Sequence, residues 1–227
     1  MALPYKIIPT TWKTIGLIVL QADETIEADM RRILPDNVNV LVSRVPSGTS
    51  VSTKTLAAMT QSLTGAAQLF PAGIKFDAVA YGCTSGSAEI GRPKIAELIR
   101  KGATTAAVTE PVSALIATCR AQNITRLGMI SPYIREVSQK LRDVLAANGI
   151  NVTAFASFDE PLEYNVVRID PSSVHDAAAN LKGNFDAIFL SCTNLRTLDV
   201  LDKIQDKVGK PVMSSNQVLA WHLQELL

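Results

Sequence analysis

Short runs of apolar residues alternate along this chain with amphipathic segments. The apolar runs predict buried strands at residues 15–20, 38–45, 76–83, 106–109, 125–130, 152–155, 185–192 and 211–213. Apolar residues spaced by three and four predict helices at residues 24–34, 56–70, 87–101, 111–121, 132–148, 174–181 and 198–208, with a last helix through Trp221. Strands that alternate with helices are typical of βαβ units, so the pattern predicts an α/β fold with parallel sheets.

Two of the predicted strands repeat each other. Residues 76–85 and 185–194 both begin with Phe-Asp-Ala, continue as an apolar run and carry Cys-Thr at the same offset. Gly16 and Gly128 form a second pair of anchors, because they precede the two cysteines by similar distances. We interpret this agreement as an internal duplication, with chance similarity of buried strands as the alternative.

The duplication predicts two similar parallel-sheet halves, each flavodoxin-like and related to the other by a pseudo-two-fold axis. The first half would comprise residues 1–113 and the second residues 114–215. The C-terminal helix, residues 216–227, is expected to pack back on the first half. Because active sites of open α/β sheets lie beyond the carboxyl ends of the strands, the site is expected in the cleft between the halves.

Each repeated strand ends in a thiol, Cys83 or Cys192, followed by hydroxyl or amide residues. A helix amino terminus at such a point would lower the thiol pKa and supply N–H groups for an anion. Cys119 stands in an Ala-rich helix and is interpreted as a packing residue. The residues that follow the two thiols are candidate donors to developing charge, namely Thr84, Ser85, Thr193 and Asn194.

Two thiols that face each other across a cleft would flank a bound molecule from opposite sides. This arrangement suits proton removal from one face of a carbon and delivery to the other, or addition of a thiolate to a double bond. Neither reaction needs a metal or an organic cofactor, and we predict none. His175 and His222 stand alone and no C-x-x-C pair is present, which disfavours a zinc site. The glycine-rich residues 82–87 lack the Walker lysine and the dinucleotide-binding spacing.

The composition of the chain limits its partners and its location in the cell. The 227 residues carry a formal net charge of +1 with 19% charged residues, which leaves no electrostatic footprint for nucleic acid or anionic lipid. Three cysteines are an odd and sparse count, which favours reduced thiols and a cytoplasmic location. The first residues lack the apolar core of a signal peptide, and no apolar run approaches the length of a membrane span.

The residues around the thiols resemble the maleate isomerase and arylmalonate decarboxylase branch of the aspartate/glutamate racemase superfamily. Residues 82–87 are similar to its first catalytic-thiol motif, residues 190–192 to the second, and residues 131–133 to a turn whose tyrosine reaches the substrate carboxylate. The resemblance implies Cys83 as nucleophile and Cys192 as acid/base. It also implies Tyr133 as a carboxylate ligand, a small carboxylate substrate and a homodimer.

Two positions depart from the family pattern or vary within it. Asp23 stands where an asparagine is usual, and Asn165 is similar to a distal asparagine that contacts substrate. An ionised Asp23 beside a substrate carboxylate would be repulsive by on the order of a few kcal/mol. A substrate that bears an amine or amide therefore fits better than maleate.

Three hypotheses follow. The leading one is a cofactor-independent isomerase or racemase that uses both cysteines on a small carboxylate, and arylmalonate-type decarboxylation is the second. Family decarboxylases carry glycine in place of the first thiol, so the presence of Cys83 favours isomerisation. The third is a non-catalytic carboxylate-binding protein. Residues 191–199 and 214–217 also resemble a subgroup associated with bacterial ectoine utilisation, which implies a nitrogen-containing substrate from ectoine breakdown.

Overall fold

Eight strands form the framework of the molecule, for which a computed structural model describes residues 2–9 and 11–227. Met1 and Thr10, which belong to the predicted first half, lie outside the described residues. The strands are β1 Lys13–Leu20, β2 Val38–Val45, β3 Lys75–Gly82, β4 Thr104–Thr109, β5 Arg126–Ser131, β6 Asn151–Ser157, β7 Ala187–Leu190 and β8 Val212–Ser214.

Helices connect these strands. They are α1 Ile26–Ile33, α2 Thr53–Ala58, α3 Leu63–Gln68, α4 Thr84–Ile90, α5 Arg92–Gly102, α6 Pro111–Ala121, α7 Arg135–Ala147, α8 Glu163–Val166, α9 Pro171–Ala179, α10 Leu201–Val208 and α11 Ser215–Glu225. A 3₁₀ turn, Met59–Gln61, joins α2 to α3. No helix within the described ranges is long and apolar enough to cross a bilayer.

The strands form two parallel four-stranded sheets of the same order. The first sheet runs β2-β1-β3-β4 and the second β6-β5-β7-β8. This confirms the predicted α/β class with two similar halves. The register is also repeated, because Gly16 pairs with Val79 and Gly128 pairs with Ile188, each partner lying two residues after the Asp of the Phe-Asp-Ala repeat.

The repeated Phe-Asp-Ala segments have the same structural role in both halves. The Asp77 carboxylate accepts the Thr14 backbone N–H at 2.8 Å, and the Asp186 carboxylate accepts the Arg126 backbone N–H at 2.9 Å. Each aspartate thus holds the start of the central strand of its sheet. Because the central strands are held at the same end, the carboxyl ends of β3 and β7 are placed alike in the two halves.

Two predicted helices are each broken in the structure. The helix expected at residues 56–70 is interrupted by the 3₁₀ turn, and the one expected at 87–101 is divided into α4 and α5 at Gly91. Gly91 has a φ of +85°, which an L side chain rarely adopts, and Pro93 lies in the first turn of α5. The division makes α4 a short helix that extends directly from the Cys83 strand.

A hydrophobic core runs across both halves. One cluster of buried residues includes Ile15 and Ala78 of the first sheet together with Met129 and Phe189 of the second. Helix α11 packs against α6 and α1, both of which lie earlier in the chain. The predicted boundary at residues 113 and 114 lies within α6 and stays a prediction.

Candidate active site

Cys83 lies where β3 turns into α4. Its backbone is extended, with a φ of −152°, and its Sγ accepts the Gly86 backbone N–H at 3.2 Å, so the thiol caps the helix. Ser85 Oγ lies 3.7 Å from the same sulfur. Position 86 must be small, because a Cβ there would lie 2.5 Å from Tyr81 Oη and 3.0 Å from Cys83 Sγ. The thiol is therefore closely enclosed, and Cys83 is 2% exposed.

Cys192 occupies the corresponding strand end in the second half, but its backbone differs. Its φ of +118° lies in a region that non-glycine residues rarely adopt. Local hydrogen bonds hold it there: its N–H donates to Ser215 Oγ at 2.9 Å, and its Sγ accepts the Asn194 N–H at 3.3 Å. Backbone strain that is held by surrounding hydrogen bonds is concentrated at functional sites. The strain at Cys192 therefore marks it as a candidate functional residue.

Tyr133 and Glu163 lie beside the thiol of Cys192. Tyr133 Oη lies 2.9 Å from Cys192 Sγ, and the hydroxyl donates to Glu163 Oε1 at 3.3 Å. Ser215 Oγ accepts both the hydroxyl of Thr84, which follows Cys83, and the Cys192 N–H, so the two strand ends lie next to each other. Burial raises the pKa of both thiols, and the charge of Glu163 adds to this rise. The two cysteines, Tyr133 and Glu163 are all at most 5% exposed. The predicted pair of thiols and Tyr133 therefore lie in one buried group of side chains.

Glu163 itself is strongly affected by its position. Burial raises its pKa to about 7, and the charge of Asp23 contributes, while the hydrogen bonds from Asn194 and Tyr133 act in the opposite direction. Sequence analysis did not identify this residue. It lies in the four-residue helix α8, beside the exposed Tyr164, so no apolar periodicity marks it as buried.

Asp23 enters the site from the loop after β1. Its Oδ1 accepts the backbone N–H groups of Thr25 and Ile26, both at 2.8 Å, and thereby fixes the start of α1. Its Oδ2 is buried and has no hydrogen-bond partner within residues 2–9 and 11–227. Burial raises the pKa of Asp23 to about 6 despite these N–H groups. The unpartnered oxygen is a free acceptor in the interior of the protein.

The other predicted donors are engaged in holding the halves together. Asn194 Oδ1 accepts the Glu24 N–H at 2.9 Å, and Thr193 Oγ1 donates to the Gly82 carbonyl at 3.2 Å. Thr84 Oγ1 donates to Ser215 Oγ at 2.8 Å. Each bond crosses from one half to the other, so these residues fix the distance across the cleft. Sequence analysis did not assign the bridging role of Ser215.

The pKa values of the thiols correct one prediction from the sequence. The strand-end position was expected to lower them, yet burial raises the pKa of Cys83 to about 12, and burial raises the pKa of Cys192 well above its ordinary value. The N–H groups of Gly86 and Asn194 oppose these shifts but are outweighed by desolvation and the charge of Glu163. With pKa values raised in this way, both thiols are protonated at neutral pH.

Loops from both halves close over the cleft. Ser50, in the loop after β2, forms an isolated antiparallel bridge with Leu162, in the loop after β6, and the Glu163 N–H donates to the Thr49 carbonyl at 3.2 Å. A cavity of about 320 Å³ lies beside this contact and is lined by Gln21, Ala22, Glu24, Ser47, Gly48, Thr49, Glu163 and Tyr164. Glu163 thus joins the cavity to the buried thiols.

Asn165 lies two residues beyond Glu163 and is half-buried, and its backbone N–H donates to the Leu162 carbonyl at 3.0 Å. The residue of this segment that reaches the thiols is Glu163. Cys119 is buried in α6, away from these groups. In the part of the chain that the structure describes, no group of three or more His, Cys, Asp or Glu side chains is arranged to hold a metal ion.

Fold and site together define a class: two-sheet α/β proteins with a thiol from each half at a shared cleft. The family profile described as arylmalonate decarboxylase matches residues 15–227. The chain therefore belongs to the arylmalonate decarboxylase family.

Individual relatives agree with this assignment. The chain is 30% identical over 148 residues to the maleate isomerase of Geobacillus stearothermophilus, a match that covers 61% of this chain and 59% of that enzyme. It is 25% identical over 226 residues to the arylmalonate decarboxylase of Bordetella bronchiseptica, covering 92% of this chain and 88% of the relative.

A solved structure shows the same fold. It is that of a Nocardia farcinica maleate cis-trans isomerase, a cysteine-to-serine variant with a covalently bound succinylcysteine intermediate. The two structures agree with a TM-score of 0.85 at 22% sequence identity, over 94% of this chain and 92% of the other.

Proposed function

We propose that this protein is a cofactor-independent isomerase or racemase that uses Cys83 and Cys192 on a small carboxylate substrate. The observation that carries the proposal is that the two thiols stand at corresponding strand ends joined through Ser215, with Tyr133 and Glu163 beside Cys192. A thiol from each half permits chemistry on opposite sides of one carbon.

For an unsaturated substrate, Cys83 would first pass its proton to a carboxylate in the cleft, such as that of Glu163, and the resulting thiolate would add its lone pair to one alkene carbon and form a carbon–sulfur bond. The π electrons would move to the neighbouring carbon and its carboxylate, leaving a single bond about which the substrate can rotate. Expulsion of the thiolate would then restore the double bond in the other geometry. For a saturated substrate, one thiolate would take the proton next to the carboxylate and the other thiol would supply a proton to the opposite face.

The environment of Cys192 suits a proton donor and acceptor. Its sulfur lies 2.9 Å from Tyr133 Oη, and the tyrosine hydroxyl donates to Glu163 at 3.3 Å. A proton on Cys192 can therefore pass through the tyrosine oxygen to the glutamate carboxylate. Because the pKa of Glu163 is raised to about 7 by burial and by the charge of Asp23, it can accept or return that proton near neutral pH.

Further residues are proposed to bind substrate. The hydroxyl of Ser85 faces the Cys83 sulfur, and Tyr133 and Asp23 present polar atoms to the cleft. Thr84, Thr193 and Asn194 are proposed to contribute through their position beside the thiols, in addition to joining the halves. Asn165 remains a proposed contact for the far end of a substrate.

The relatives support the proposal that the protein is an isomerase. The Geobacillus and Nocardia proteins are maleate isomerases, and the Nocardia structure holds a succinylcysteine intermediate, a covalent adduct of the kind that addition to an alkene produces. Decarboxylation of a malonate-type acid is the second candidate, favoured by the family match and by the Bordetella relative.

The test is proton NMR in D₂O, with maleate, an arylmalonate and a chiral 2-substituted carboxylate offered separately to the enzyme. The proposal expects the trans isomer, or exchange of the proton next to the carboxylate, without a metal or cofactor. Loss of a carboxyl group with a deuterated product would support the decarboxylase instead. Ligand-induced thermal stabilisation without any reaction would support the carboxylate-binding alternative.

Three finer points belong to the same proposal. The three cysteines are free thiols in the structure, which supports a cytoplasmic location. A second copy of the chain is the proposed partner, and a nitrogen-containing compound of ectoine breakdown is the proposed substrate. Sedimentation velocity and the NMR assay with such compounds test the last two points.

A further inference from the structure

Asp23 and Glu163 are two buried carboxyl groups near the thiols, called here the carboxyl pair. Asp23 is 4% exposed and Glu163 is 5% exposed, and the charge of Asp23 contributes to the raised pKa of Glu163. The two carboxyls come from different halves, one from the loop after β1 and the other from α8. Asn194 lies between the two segments, because it accepts the N–H of Glu24, next to Asp23, and its hydrogen bond acts to lower the pKa of Glu163.

Neighbouring positive side chains pair with carboxylates other than those of Asp23 and Glu163, although the charge of Arg44 acts to lower the pKa of Asp23. Arg44 donates to the Leu20 and Asp23 carbonyls at 3.0 and 2.9 Å, and it pairs with the Glu27 carboxylate. Arg168 donates to Glu24 at 3.2 Å. Within the described ranges, no Lys or Arg nitrogen lies within 4.0 Å of either buried carboxyl.

One carboxyl oxygen also lacks a neutral partner. The Asp23 Oδ1 atom accepts two backbone N–H groups, whereas its Oδ2 atom is buried without a hydrogen bond in the described part of the chain. The nearby Thr193 hydroxyl acts to lower the pKa of this carboxyl but donates its proton to the Gly82 carbonyl at 3.2 Å. Buried acceptors are normally satisfied, and an exception calls for a missing donor. A ligand that donates from a charged nitrogen would satisfy both the hydrogen bond and the charge.

We propose that the substrate carries a cationic nitrogen group as well as its carboxylate, and that Asp23 and Glu163 together bind that group. The proposal rests on the proposed function in placing the substrate between the thiols. A dicarboxylate would place a second negative charge beside the carboxyl pair, and the repulsion between like charges opposes binding.

Binding of the cationic group beside Glu163 would also change the pKa values of the two thiols. The charge of Glu163 contributes to the raised pKa of both sulfurs, so a cation bound against Glu163 would offset that contribution. The substrate would thus help to form the thiolate that attacks it.

The test is isothermal titration calorimetry at neutral pH with three unreactive probes of matched length: β-alanine, succinate and butyrate. The wild-type protein is expected to bind β-alanine at least about tenfold more tightly than either anion. In Asp23→Asn and Glu163→Gln, that preference should fall by about tenfold, and succinate should bind as well as in wild type or better. Glu163→Asp, which keeps the charge, should retain part of the preference.

Glu160→Gln is the matched control, because it removes one negative charge from the same loop three residues earlier. It should leave the preference for β-alanine unchanged. Binding of succinate equal to or tighter than that of β-alanine, or no binding of β-alanine, would overturn the inference. Because the probes undergo no turnover, this result is independent of the NMR assay: selective binding without catalysis would refute the two-thiol function alone.

Discussion

The two strand ends that carry the thiols share a framework but differ at the sulfur. In both halves the aspartate of the Phe-Asp-Ala repeat accepts a backbone N–H at the start of an inner strand, β1 or β5. A glycine of that inner strand pairs with the residue two positions after the aspartate. Cys83 then continues in extended backbone into α4, whereas Cys192 has a φ of +118° and no helix begins until Leu201.

The two thiols therefore keep corresponding positions in the two halves, but the groups around them differ. The sulfur of Cys83 is enclosed by Gly86 and Ser85, which suits close approach of a carbon atom. The sulfur of Cys192 lies against Tyr133, through which it connects to a carboxyl group. The proposed function therefore has nucleophilic attack in the first half and proton transfer in the second.

The largest effect on stability is expected at the tightly enclosed first thiol. In Gly86→Ala the added methyl would lie 2.5 Å from Tyr81 Oη and 3.0 Å from Cys83 Sγ, so we expect a loss of about 1–3 kcal/mol and impaired turnover. Urea unfolding monitored by circular dichroism measures the loss. Gly65→Ala in α3 is the control: its Cβ would meet nothing within 4 Å, so a gain of about 0.5–1 kcal/mol is expected. Equal effects would show that the Cys83 turn is not tightly packed.

The second prediction concerns the acid that serves the Cys192 end. Burial first, and then the charge of Asp23, raises the pKa of Glu163 from an ordinary value of 4.5 to about 7, so folding favours its protonated form. Its contribution to stability is present below about pH 4.5 and is lost as pH rises to about 7. Relative to wild type, Glu163→Gln should therefore gain on the order of 2 kcal/mol between about pH 4 and about pH 8.

Urea unfolding of both proteins across that pH range measures this difference, with Glu160→Gln as the control for loss of one charge from the loop. A difference between Glu163→Gln and wild type that stays constant with pH would contradict the buried, raised-pKa description of Glu163.

The smallest effect distinguishes the two backbones directly. At φ +118° glycine is easier to accommodate than alanine, so Cys192→Gly should be more stable than Cys192→Ala by about 1 kcal/mol. At Cys83 the extended backbone removes that advantage, and Cys83→Gly should be less stable than Cys83→Ala by about 0.5–1 kcal/mol. Chemical denaturation of the four variants provides the comparison. The same sign at both positions would show that the ends are alike.

Much of the framework could be predicted from the sequence because buried parallel strands leave a continuous apolar signal. The repeated Phe-Asp-Ala segments located both thiols, and the alternation of strands and helices gave the class of fold. The break at Gly91 was missed, although a glycine two residues before Pro93 is a signal for it.

The site was less accessible for two physical reasons. Glu163 lies in a four-residue helix whose position depends on contacts with the loop after β2, such as its N–H bond to Thr49, and such pairing leaves no local pattern. The thiol pKa values depend on desolvation by both halves together, which outweighs the local N–H groups that sequence reasoning could see. Asn165, two residues after Glu163, stays a proposed substrate contact.

The central claim is that two thiols, one from each half, act on one substrate. The most direct measurement is turnover of Cys83→Ala, Cys192→Ala and Cys119→Ala in the NMR assay, on whichever substrate the wild-type protein converts. The account predicts a loss of at least about 10³-fold in each of the first two variants and near wild-type turnover in the third, whose cysteine is buried in α6. Full turnover without Cys83 or without Cys192 would contradict it.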